Sequence, residues 1–292
     1  RQLATFFLTT ASLAEAQQAG KMFRIGFLDS STASGMAVLI DAFWQEMRKL
    51  GWIEGKNIGV EYRFAEGKSD RLPELAADLV RLKVDLIVVS SGGPASLAAK
   101  KATSTIPIVL ATSADPVGEG IVTSLARPGG NVTGFSNLAA ELNTKRLEVL
   151  KDAVPKLARV GLLRPPGDSI TQDLQLKELR AAAVALKLKL EEIEIQVDAK
   201  GLESAFQIAK QKQVGAIMTT ATRTFFAERK RIVELAVKYR LPAIYFSKAF
   251  VDEGGLMSYG TDNEDEYRKA AQYVDRILKG TKPADLPIQQ AM

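Results

Sequence analysis

The chain has 292 residues, 46% of them apolar and 25% charged, as in ordinary soluble globular proteins of one or two domains. Its 39 Lys and Arg against 34 Asp and Glu leave a net charge of +5, spread without the basic patch and interleaved aromatics that a nucleic-acid reader needs. It has no Cys and no His, which excludes disulfides, thiol catalysis, thiolate metal sites and Ser-His-Asp chemistry; any acid or base would have to be a carboxylate, Lys or Tyr.

Residues 1–20 read as the remains of an export signal. Arg1 is followed by a short apolar stretch from Leu3 to Leu13, and Ala14-Glu15-Ala16 has the small-x-small cleavage form. An ordinary N-terminal helix is the other reading. Without Cys there is no lipid-anchor site, so an exported product is expected free in the periplasm. No long apolar run follows residue 20, so no membrane-spanning helix is expected in the body.

From Phe23 strands and helices alternate. Phe23 to Leu28 is a strand ending in Asp29-Ser30-Ser31-Thr32, and Met36, Ile40, Phe43, Met47 and Leu50 then recur at helical spacing. Ile58 to Phe64 is a second strand. Ser69 is read as the N-cap of a helix carrying Leu72, Leu75, Leu79 and Leu82. Leu86 to Val89 is apolar throughout, as a strand buried on both faces must be. It ends in Ser90-Ser91-Gly92-Gly93-Pro94, and a helix opens at once. Free N–H groups and the positive end of a helix dipole favour an anion there, unless the loop is simply a good cap.

Pro107 to Ala111 is the next strand, followed by Thr112-Ser113-Ala114-Asp115-Pro116 and a short helix predicted from Val117, Ile121 and Leu125. Arg127-Pro128-Gly129-Gly130 stops it. Asn131 to Phe135 is a strand running into Ser136-Asn137. Glu141 to Ala153 is a helix. The alternation restarts at Arg159: strands at 159–163, 190–197, 216–219, 242–246 and 256–259, with helices ending near Leu188 and marked by Leu202 to Ala209, Phe225 to Tyr239, and Tyr267 to Leu278. Asp262 or Asn263 caps the last helix. Such alternation predicts parallel sheets flanked by helices, and the restart predicts two similar lobes around a cleft. Ligands of parallel sheets bind beyond the carboxyl ends of the strands, so these polar strand ends are candidate ligand walls.

Several motifs together resemble one family. Asp115-Pro116, Ser124-Leu125-Ala126-Arg127-Pro128-Gly129-Gly130-Asn131-Val132-Thr133-Gly134, Lys145-Arg146-Leu147-Glu148, Gly254-Gly255-Leu256-Met257-Ser258-Tyr259-Gly260 and Tyr273-Val274-Asp275-Arg276-Ile277-Leu278-Lys279-Gly280 are similar to the substrate-binding proteins of ABC transporters associated with tryptophan and tyrosine. The resemblance spans residues 23–289. It implies an α/β type I periplasmic binding fold, with one lobe of residues 23–136 plus 261–292 and the other of residues 137–260. It also implies three hinge crossings, the last strand of which is expected to be missing past Asp285-Leu286-Pro287.

The resemblance further implies a monomeric, periplasmic, non-enzymatic binder of a small solute. The solute would be an amino acid or an aromatic or carboxylate compound, handed to an inner-membrane permease, with no cofactor, metal or nucleic acid involved. A ligand-sensing domain of the same fold is the alternative. Candidate ligand residues are Ser30 and Ser31; Ser91 and Gly92, receiving a carboxylate; Asp115, facing an amine or capping its own turn; Asn137; Phe226, stacking on a ligand or lying in the core; and Tyr245, Ser247 and Tyr259.

Overall fold

The computed structural model describes residues 22–137, 139–166 and 170–291; the expected export signal lies outside them. The first lobe opens with β1 (Phe23–Asp29), α1 (Ala33–Lys49), β2 (Ile58–Phe64), α2 (Leu72–Arg81), β3 (Leu86–Val89), α3 (Pro94–Ala102), β4 (Ile108–Leu110) and β5 (Val132–Asn137). The chain then passes to α4 (Ala139–Ala153), β6 (Arg159–Arg164), α5 (Ile170–Ala185), β7 (Lys189–Glu194), α6 (Ala199–Gln211) and β8 (Ala216–Thr219). It continues through α7 (Arg223–Ala227), α8 (Arg229–Tyr239), β9 (Ala243–Tyr245), α9 (Lys248–Asp252) and β10 (Met257–Ser258), and returns through α10 (Asn263–Leu278) to β11 (Gln289–Ala291).

Two parallel sheets result. The first has the order β11-β5-β4-β3-β1-β2 and the second β10-β9-β8-β6-β7. Counted within each lobe, both contain the arrangement 2-1-3-4-5, whose strand order reverses between the first and third strands. That reversal opens a crevice at the carboxyl ends of β1 and β3 in one lobe and of β6 and β8 in the other.

The local chemistry explains the elements. All four residues of β3 and of β8 are buried, as sheets covered on both faces require. Thr32 caps α1, its hydroxyl accepting from Gly35 N, and Met36, Leu39, Phe43 and Met47 form the buried stripe. Asp262 caps α10, whose first turn carries Glu264, Asp265 and Glu266 against the positive helix end. Helix α10 packs on α1 and on β3, β4 and β5, and Trp52 Nε1 donates to Asp275 Oδ1 at 2.8 Å beneath it. One apolar cluster runs from Phe43 and Tyr267 in the first lobe to Phe206 and Ile232 in the second, so the lobes are closed against each other.

Four expectations change. No helix covers Val117 to Leu125: Gly120 at φ +68° ends a single turn, and the apolar spacing arises because Ile121 and Val122 plug the core irregularly. Ser69 starts a short 3₁₀ turn and makes no capping bond to α2. The helix expected from Phe225 to Tyr239 divides at Glu228. A last strand is present, β11 pairing in parallel with β5 through Gln289 and Phe135.

Candidate functional site

The carboxyl ends of β1 and β3 are knitted together. Asp29 Oδ1 accepts from Ser31 N and Oδ2 from the Ser90 hydroxyl, both at 2.5 Å, and Ser30 N donates to Ser91 Oγ at 3.1 Å. Asp29, Ser31, Ser90 and Ser91 are all buried. Burial pushes the Asp29 carboxyl above its ordinary range, and the Ser90 hydroxyl, the Ser31 amide and Arg223 only partly offset it. Ser30, Ser31 and Ser91 thus lie together at this crevice, with the Ser30 and Ser31 N–H groups bonded to Ser91 Oγ and Asp29 Oδ1.

The start of α3 also has an occupant from the chain itself. Gly93, at φ +60°, donates its N–H to Glu119 Oε2 at 3.2 Å, and the Ser113 hydroxyl approaches the same oxygen at 3.4 Å. This internal carboxylate bonds to Gly93 and Ser113, beside the predicted Ser91-Gly92 pair. A Cβ on Gly92 would lie 3.2 Å from Ser113 Cα, so the glycine serves the close approach of two loops. Asp115 Oδ1 accepts from Gly118 N at 2.8 Å, the capping alternative.

In the second lobe Phe226 is fully buried, with the Arg229 guanidinium 5.0 Å and that of Arg223 5.9 Å from its ring centre. Tyr245 is buried too, stacked on Phe250 at 4.6 Å, with its phenol pushed up by burial. It lines, with Gly254, Gly255 and Leu256, a surface depression of about 350 Å³ beside the start of β9. Ser247 caps α9, accepting from Ala249 N. Tyr259 is 40% exposed, and its carbonyl accepts from Arg146.

Three charged residues that sequence reading passed over dominate the cleft. Arg223, which opens α7, crosses to the first lobe: its Nε donates to the Ser90 carbonyl at 3.1 Å, and its guanidinium lies 5.6 Å from the Tyr267 ring. The Tyr267 hydroxyl donates to the same carbonyl at 2.7 Å. Beside it Arg229 donates to the Gly35 carbonyl at 3.2 Å, and a Cβ on Gly35 would fall 2.2 Å from that of Ala227. Glu266, 1% exposed, has its carboxyl raised by burial, with Arg223 and the Thr261 and Thr112 hydroxyls partly offsetting it. Neither Glu266 oxygen has a hydrogen bond of regular geometry.

Arg146, also 1% exposed, donates to the Tyr259 carbonyl at 3.1 Å and to Asn143 Oδ1. Burial lowers its pKa to about 10. Both Arg146 and Glu266 carried a sequence signal. Arg146 falls in register with Asn143, Leu147 and Leu150 on the buried stripe of α4, and Glu266 with Tyr267, Ala270 and Val274 on that of α10.

The other polar side-chain atoms buried without a partner among the described residues lie at strand ends or beside the crossings. They are Asn137 Oδ1 ending β5, Arg164 Nε ending β6, the Thr219 and Thr220 hydroxyls at the end of β8, and Asn263 Nδ2 opening α10. Asn143, Arg164, Gln175, Leu176, Leu179 and Thr220 enclose a small cavity with room for about one water molecule. The described residues hold no helix long and apolar enough to cross a membrane.

A family model described as ABC transporter substrate binding protein matches residues 32–292. The chain is 29% identical over 251 residues to a tyrosine-binding protein of Clostridioides difficile (strain R20291), covering 84% of this chain and 70% of that protein. Among solved structures, a conserved domain protein from Vibrio cholerae superposes with a TM-score of 0.82 at 26% identity, over 93% of this chain and 90% of that one. An ABC domain in complex with L-Trp from Streptococcus pneumonia superposes with a TM-score of 0.79 at 24% identity, over 92% of this chain and 88% of that one.

Proposed function

The chain belongs to the ABC transporter substrate-binding protein family, and from that premise we propose that it captures a small organic solute between its lobes and delivers it to an ABC permease. The observation that carries this reading is the pair of strand-order reversals facing each other, joined by Arg223 and Arg229 reaching from the second lobe to the Ser90 and Gly35 carbonyls. Ligands of open parallel sheets lie at such reversals, and two-lobed proteins bind by hinge closure.

In this reading residues 23–136 plus 261–292 move as one lobe and residues 137–260 as the other. Ser30, Ser31 and Ser91 face the solute from the first, Asn137 from the end of β5 where the chain crosses between lobes, and Tyr259 from the second. Relatives that bind tyrosine or are seen with L-Trp support an amino acid or an aromatic or carboxylate compound as the solute. No bond is made or broken, so the protein is a receptor and not an enzyme. It acts as a monomer, exported and free in the periplasm.

The test is a thermal-unfolding screen of ligand-free protein against aromatic and branched amino acids, aromatic acids, sugars and short peptides, followed by calorimetry. A solute at about 100 times its dissociation constant stabilises the native state by about 2.7 kcal/mol. One stabilising solute recovered chemically unchanged is the expected result. Silence across the panel in protein shown to be empty would overturn the reading, and turnover of a bound solute would overturn the receptor assignment.

A further inference from the structure

We infer that the second lobe, through Arg146 with the Arg164 and Thr220 side chains beside it, holds the anionic end of the ligand, and that the acceptors around Glu266 hold its donor end. This rests on the solute-binding reading above and adds an orientation to it.

Arg146 is a buried cation with no ion pair among the described residues. Its two hydrogen bonds go to neutral acceptors, the Tyr259 carbonyl and the Asn143 side chain. Its Nε has no partner, and no carboxylate among the described residues pairs with it. Its pKa of about 10 keeps it protonated at neutral pH, so the charge is real. Buried charges are paired in folded proteins because desolvation is otherwise uncompensated. The missing partner is an anion.

The unpartnered buried atoms sort by lobe. On the second lobe they are Arg146 Nε, Arg164 Nε and the Thr219 and Thr220 hydroxyls, all able to donate. At the end of β5, in the first sheet, and on α10 they are Asn137 Oδ1 and both Glu266 oxygens, which accept when the acid is ionised, with Asn263 Nδ2 the one donor. Arg164 is already ion-paired to Glu192 and Glu194 on β7, which leaves Arg146 as the uncompensated charge. Asn143, hydrogen-bonded to Arg146, also lines the small cavity with Arg164 and Thr220. The competing anion position, the start of α3, is filled by Glu119. A carboxylate on the second lobe with a hydrogen-bond donor, such as an ammonium, toward Glu266 satisfies both sets at once.

The test uses the whole chain with L-tryptophan and L-tyrosine as probes, beside their amides, which lack the negative charge. Wild type is expected to bind each acid about tenfold tighter than its amide, a charge-assisted contact being the difference. Arg146→Gln and Arg146→Met are expected to lose about tenfold or more on the acids and little on the amides. Ligand-free Arg146→Met is expected to melt at or above wild type, since it removes an unpaired buried charge. Equal losses on acid and amide, or a ligand-free Arg146→Met melting about 5 °C or more below wild type, would make Arg146 a structural strut and overturn the inference. If none of the four probes binds wild type, the proposed solute class falls, and the melting comparison still decides the role of Arg146.

Discussion

The two strand-order reversals share a topology and differ in what their side chains do. In the first lobe the Asp29 carboxylate accepts from Ser31 N and the Ser90 hydroxyl, and Ser91 Oγ accepts from Ser30 N. In the second, Arg164, Thr219 and Thr220 each keep a buried polar atom without a hydrogen bond, although Arg164 is ion-paired to Glu192 and Glu194. One crevice carries a buried, hydrogen-bonded acid; the other carries hydroxyls free of hydrogen bonds. The sheet order decides where a ligand can sit, and the side chains decide which end of it goes where. The first crevice receives something all the same, because Arg223 crosses from the second lobe to the Ser90 carbonyl. The first crevice thus takes a contact between the lobes, and on the inference above the second takes the anionic end of the ligand.

The sharpest way to break that division is to hold the lobes apart without touching either crevice. Gly35 lies under Ala227 with no room for a side chain, and its N–H donates to the Thr32 hydroxyl that caps the same turn. Gly35→Leu is expected to wedge α1 from α7 and weaken ligand binding about 30-fold, equivalent to about 2 kcal/mol. Titration calorimetry reads the loss, and small-angle scattering with saturating ligand is expected to show an extended particle. Wild-type affinity in this variant would remove the α1–α7 contact from the closed state.

How much of this was legible differs by level. The strand reading of β3 and β8 coincides with the observed Leu86–Val89 and Ala216–Thr219, because a strand buried on both faces has no freedom but to be apolar. Val117, Ile121 and Leu125 misled because their spacing was not that of one face: Val117 is exposed, Ile121 is buried and Leu125 is half-buried, while Gly120 at positive φ held the backbone in a turn. At the cleft, hydroxyls ending strands were visible because topology places them. Arg146 and Glu266 were passed over because a charge on a helix is read as a solvated face, although both sit on the apolar stripe. Arg223 had no local signal at all, since its partner Ser90 is 133 residues away.

Glu266 offers a smaller test, through pH. Its carboxyl is raised above the usual carboxylate range, first by burial, and that of Asp29 is raised for the same reason. An acid whose folded pKa exceeds its unfolded one binds more protons folded than unfolded between the two values. Stability from these groups is therefore present below the unfolded pKa and is lost as pH rises through the folded one. Glu266→Gln is expected to stabilise the ligand-free protein by about 1 kcal/mol at pH 8, a few degrees of melting temperature. The gain is expected to shrink toward pH 5. A pH-independent difference, or a loss at pH 8, would mean that Glu266 is ionised and compensated in the empty protein.

The smallest expected effect tests the first lobe's part in that contrast most directly. Asp115 holds the turn at residues 116–120, its side chain accepting from Gly118 N and its carbonyl from Glu119 N. Asparagine keeps that acceptor and removes the charge. If the loop is closed on itself, Asp115→Asn leaves melting within about 0.5 kcal/mol and tryptophan affinity unchanged. Asp115→Ala, which loses the acceptor, costs about 1 kcal/mol, again without touching affinity. If Asp115 instead faces a ligand amine, Asp115→Asn weakens tryptophan about tenfold and leaves indole-3-propionate, which has no amine, unaffected. The first lobe would then read a charge of its own, and the contrast between a crevice that takes a lobe contact and a crevice that takes the ligand would fail.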